Sequence, residues 1–86
     1  MPYVKKTHRA RLDGGGEADN PGELNYVITR KLDSYLARKG LSYTNINEVI
    51  GVLECAKLEI YRRIVAKYED TKIAENGDVY TIQEGD

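Results

Sequence analysis

Apolar positions fall into two long helical stripes. In the first, Leu24, Val27, Ile28, Leu32, Tyr35 and Leu36 recur at three- and four-residue intervals. In the second, Ile46, Val49, Ile50, Leu53, Ala56, Ile60, Tyr61, Ile64, Val65 and Tyr68 do the same. The second stripe covers about 23 residues, or about 35 Å of helix, against about 28 Å for the first. Strand-like alternation is confined to the ends, around Tyr3-Val4 and from Asp78 to Ile82 after the Asn76-Gly77 turn signal.

Polar punctuation sets the boundaries. Asn20-Pro21-Gly22-Glu23 combines a favoured cap, a proline suited to the first helical position and a capping-box glutamate, so a helix is expected from Pro21 to Lys39. Arg38 and Lys39 suit its negative end and Gly40 suits the position after it. Asn45, with Glu48 three residues on, repeats the capping signal, and predicts a second helix over Ile46–Tyr68 after the loop Leu41–Thr44. Thr7 offers a cap for one helical turn through Leu12, and Gly14-Gly15-Gly16 reads as a flexible linker.

These elements define a mainly α fold: an antiparallel helical hairpin with short terminal β-strands, assembling into an oligomeric helical bundle. A single domain over residues 1–86 is expected, with an N-terminal strand and linker over 1–19, the hairpin over 20–68 and an acidic segment with a short strand over 69–86. The longer helix outruns its partner around Ile60 to Tyr68. Val52, Cys55 and Leu58 add a second apolar patch that a two-helix layer leaves open. Both features point to a homo-oligomer. Gly51 in mid-helix costs up to about 1 kcal/mol relative to alanine, which suggests a close neighbour there.

Composition narrows the classes of function. With 86 residues, the chain has a thin core. Thirteen Lys and Arg against fourteen Asp and Glu give a net charge of −1, without the basic excess of a nucleic-acid binder. One cysteine excludes an internal disulfide and a cysteine-based metal cluster. No apolar run has the roughly 20 residues that span a bilayer, and a cytoplasmic location is expected. Neither a metal nor a cofactor is expected.

No catalytic constellation is visible. His8 is the only histidine, Cys55 has no histidine within reach by spacing, and the glycine run lacks the Lys-Ser/Thr of a phosphate loop. Two features suggest binding instead. Lys57 lies in the middle of the second stripe with Glu54 one turn earlier, where it forms a local ion pair or meets an anionic ligand. All seven aromatic residues are tyrosine, a side chain with a stacking face and a polar tip. The candidate ligand residues are Tyr26, Tyr43 and Tyr61 for stacking, Arg30, Arg62 and Lys57 for charge, and Asn25, Thr29 and Glu54 for hydrogen bonds.

Three segments resemble one family of short, functionally uncharacterised proteins of bacteria and their phages. They are Pro21-Gly-Glu-Leu-Asn-Tyr-Val-Ile-Thr-Arg30, Asn47-Glu-Val-Ile-Gly-Val-Leu-Glu-Cys-Ala-Lys-Leu-Glu-Ile-Tyr-Arg-Arg63, and Tyr68-Glu-Asp70 with Glu75-Asn-Gly-Asp-Val-Tyr80. The glycine run and Lys67, which stands where a proline often occurs, depart from that pattern. The resemblance implies a fold and no reaction. By analogy with small phage proteins, it implies non-enzymatic sequestration of a nucleotide-derived signal, such as a cyclic nucleotide or cyclic ADP-ribose, in an oligomer cleft. The alternative is a protein–protein module that inhibits or regulates a host protein.

Overall fold

A computed structural model describes residues 1–82, so the last four residues of the acidic segment lie outside the description. The chain divides into two compact units, Met1–Val49 and the residues from Ile50 onward.

The first unit holds α1 (Lys6–Asp13), α2 (Pro21–Lys39) and the opening turns of α3 (Tyr43–Ile60). α1 packs on α2. It has no side-chain cap; the amides of His8 and Arg9 donate to the Lys5 carbonyl instead. Its end is closed by the glycine run. Gly14, Gly15 and Gly16 donate to the carbonyls of Ala10, Leu12 and Arg11, so the stretch read as a flexible linker is a hydrogen-bonded turn. Gly15 has φ +97°, which favours glycine, and a Cβ on Gly16 would lie 2.8 Å from Arg11 Cγ.

α2 has the predicted bounds. The Asn20 side chain accepts from the Glu23 amide at 2.9 Å, Pro21 takes the first position, and Gly40 (φ 105°) donates to the Leu36 carbonyl. α3 begins earlier than Asn45 predicts. Ser42 Oγ accepts from the Asn45 amide at 3.1 Å and acts as the cap. The Asn45 side chain points the other way, donating to the carbonyls of Lys39 and Gly40, where it satisfies the exposed end of α2. Leu12, Tyr26 and Val49 are the buried apolar residues of this unit.

The second unit continues α3 through a π-helical segment (Tyr61–Val65) into α4 (Ala66–Asn76). The Ala66 amide donates to the Tyr61 carbonyl, the five-residue closure of a π turn. Gly77 (φ 90°) ends α4 and donates to the Ile73 carbonyl. The π turn adds one residue and thereby keeps the apolar stripe in phase. Ile46, Leu53 and Ile60 follow at intervals of seven, and Tyr68 comes eight after Ile60. An unbroken repeat would have placed Lys67 there.

The terminal segments differ from expectation. Tyr3-Val4 and Asp78–Ile82, where alternation predicts strands, are not in strand among the described residues. Local bonds occupy their backbone groups: the Val4 amide donates to Pro2, its carbonyl accepts from Arg9 Nε, and the Tyr80 amide donates to the Asp78 side chain. No helix among the described residues is long and apolar enough to cross a membrane.

Candidate functional site

Glu23 organises the first unit. Its side chain is nearly buried, with a relative exposure of 3%. Oε1 accepts from Arg11 Nη2 at 2.6 Å and from the Asp19 amide at 2.9 Å, while His8 Nδ1 lies 3.4 Å from Oε2. The capping-box glutamate thus reaches the amide before the cap residue and also holds α1. The Arg11 hydrogen bond, then the Asp19 amide, lower the Glu23 carboxyl pKa, and the Arg11 guanidinium is raised in turn.

One turn on, the Tyr26 ring is 7% exposed, with the Arg9 guanidinium 5.8 Å from its centroid. Its hydroxyl donates to the Asp13 carboxylate at 3.0 Å. Burial first, then this bond, raise the Tyr26 pKa. Arg30 pairs with Asp33 at 2.7 Å and with Asp13 at 3.5 Å. Tyr26, Arg30 and Asp13 border a cleft of about 260 Å³ that also takes in Leu12 and Lys31. Asn25 and Thr29 hydrogen-bond to each other at 3.3 Å, and the Tyr43 ring is exposed.

The remaining candidates lie on the second unit. Lys57 pairs with Glu54 at 3.2 Å, the local ion pair that the spacing suggests. Arg62 pairs with Glu59 at 3.3 Å, and the Tyr61 ring is exposed. In this unit, Ile50, Leu53, Ile60, Ile64 and Tyr68 are all exposed, and Val65 alone among the described residues is half-buried. A cleft of about 450 Å³ follows α4, with Ile73, Val79 and Tyr80 among its lining residues. Cys55 is exposed. The described residues hold no cluster of three or more His, Cys, Asp or Glu able to bind a metal ion.

Sequence reasoning named Tyr26 and Arg30 as ligand residues and missed the groups that contact them, Asp13 and Arg9. It also missed Glu23 as the anchor of α1. The signal was the basic face of α1, His8 and Arg11, which matches a buried acid on α2.

These features define a class: a small helical chain whose N-terminal helices are tied by charged groups and whose long helix carries an open apolar face. The chain belongs to the family described as a domain of unknown function, DUF6899, which matches residues 1–79. No curated protein and no solved structure matches it significantly.

Proposed function

We propose that the chain is a non-enzymatic binding protein that works by protein–protein contact through the apolar face of its second unit. One observation carries this reading: Ile50, Leu53, Ile60, Ile64 and Tyr68 share a stripe along α3, the π segment and α4, and all are exposed. Ile64 is 64% exposed. Large aliphatic side chains in one row favour a covered state by about 1.5–3 kcal/mol for each that is fully buried. With the side chains open in the single chain, another molecule is the better cover, and a helical assembly is the natural form for it.

Native mass spectrometry of the chain purified from cells tests the reading. Wild type is expected in a complex, and Ile60→Glu with Ile64→Glu is expected free, with helix content retained by circular dichroism. A wild-type chain found only as a free 9.7 kDa species overturns it.

A nucleotide-derived ligand is a second reading, favoured by the open ring of Tyr61 beside Arg62. Tyr26 is a poor stacking partner because Arg9 and Asp13 already hold it. Sequestration of a phage-relevant signal therefore rests on Tyr61, Arg62 and Lys57 within an assembly. The same spectra carry a bound small molecule if this is correct, and calorimetry against cyclic nucleotides and ADP-ribose derivatives gives no heat if it is not.

A further inference from the structure

The charges that flank the open face are arranged with opposite sign about the π segment. Arg63 lies in that segment. Nine residues before it is Glu54 and nine after it Lys72; six before is Lys57 and six after Glu69; four before is Glu59 and four after Lys67. These three pairs each join an acid to a base, whereas Glu48 and Asp78, fifteen residues either side and beyond the open stripe, are both acids. Lys57 interrupts the apolar stripe, where a cation requires a partner. Its own Glu54 reaches it at 3.2 Å, but both side chains are more than half exposed. Glu69 pairs with no base among the described residues. Lys72 pairs with Glu75 at 3.2 Å, both side chains about half exposed, and leans over the Tyr68 ring at 5.5 Å, which keeps it beside the stripe.

We propose that a second copy of this chain covers the face in antiparallel orientation, with the two-fold axis crossing the helix at the π segment. The proposal rests on the binding role given to this face and names its occupant. A two-fold axis makes residue i of one copy meet residue j of the other and j meet i. Placed at Arg63, it sets Lys57 opposite Glu69 of the second copy and Glu54 opposite Lys72, each twice, and brings Arg63 near its own copy, with Glu59 of the same chain 3.6 Å away to offset the like charges. Glu59 and Lys67 lie further round the helix and add a favourable field. A parallel pair would set each of these charges against itself, lysine on lysine and glutamate on glutamate. The π turn contributes by bringing Ile64, Val65 and Tyr68 onto the stripe that Leu53 and Ile60 begin, so both halves of the face are apolar about the axis. Its five-residue closure replaces the Lys67 register with that of Tyr68. A second copy carries the complementary pattern by symmetry.

Sedimentation equilibrium of the full chain and three charge variants tests the proposal. Wild type is expected as a dimer at micromolar concentration. Lys57→Glu is expected to weaken dimerisation about tenfold through its two symmetric contacts, as is Glu69→Lys. The double variant Lys57→Glu with Glu69→Lys is expected to regain wild-type affinity, because it restores both contacts with reversed sign. Loss of the local Glu54 pair in Lys57→Glu would not be repaired by Glu69→Lys, so recovery is specific to the antiparallel contact. A dimer indifferent to both single reversals is parallel or uses other residues; it overturns the register and leaves the binding role of the face standing. A monomer that appears in native spectra with a host protein overturns the second copy as occupant and likewise leaves that role standing. A monomer free of any partner overturns both.

Discussion

At the scale of single residues, Glu23 does most to define the first unit. A buried carboxylate is costly unless paired, and here one carboxylate meets an arginine, a backbone amide and a histidine from the preceding turn and helix. Its lowered pKa fixes the sign of a pH effect. A group whose pKa falls on folding stabilises the fold above its ordinary value, here 4.5, and ceases to do so as pH falls through the lowered value. At pH 7, Glu23→Gln is expected to lower the melting temperature by about 5 °C or more, by removing the nearer of the two carboxylates that Arg11 meets, with Asp19 left at 3.9 Å. The gap between wild type and variant should narrow as pH drops below about 4.5. A gap that stays constant from pH 7 to acid would mean that the carboxylate charge is not what holds α1. The same cluster explains why Tyr26 is fixed: Asp13 takes its hydroxyl and Arg9 its face.

At the scale of elements, the helix ends divide unevenly between pattern and contact. Asn20 caps α2 as its sequence context requires, and Asn20→Ala is expected to cost about 1 kcal/mol. For α3 the capping oxygen belongs to Ser42, so Ser42→Ala should cost a similar amount through α3. Asn45→Ala should act through the carbonyl end of α2 instead. Denaturant melts of the three variants, with hydrogen exchange to locate the loosened turn, check this assignment. Fraying at the start of α3 in Asn45→Ala, with none in Ser42→Ala, would restore the simpler reading of the sequence. Gly51 has open space around the position of a Cβ, so the chain by itself supplies no close neighbour for it.

At the scale of the whole molecule, buried apolar side chains are few and all lie in the first unit. Leu12, Tyr26 and Val49 form its core, and none of the described residues from Ile50 onward is buried. A chain of this kind gains stability by association, and mass action then links its melting temperature to concentration. Raising the protein from about 1 to about 100 μM is expected to raise the melting temperature by several degrees, with the gain abolished by Ile60→Glu and Ile64→Glu. An invariant melting temperature over that range would indicate that the apolar face remains uncovered during folding.

The sequence by itself determined the helices. The bounds of α2 and the long stripe from Ile46 follow from spacing and capping, which act within a few residues of one another, whereas the second helix, expected to end at Tyr68, runs on through α4 to Asn76 before Gly77 stops it. Lys57 with Glu54 was legible for the same reason: residues three apart on a helix are neighbours. Contacts across turns were decided only by the tertiary structure. Nothing local tells that Arg11 reaches Glu23 or that Asp13 claims the Tyr26 hydroxyl, because those partners are twelve and thirteen residues apart and meet through a glycine turn. The π segment is also a product of the folded chain. Whether five residues close a wider turn depends on the stripe it keeps in phase, and a window of heptads read along the sequence passes over the extra residue. The strand-like alternation at the ends failed for the opposite reason. Its signal was local, and the backbone groups that a strand would need are held by still nearer partners, Pro2 and Arg9 at Val4 and the Asp78 side chain at Tyr80.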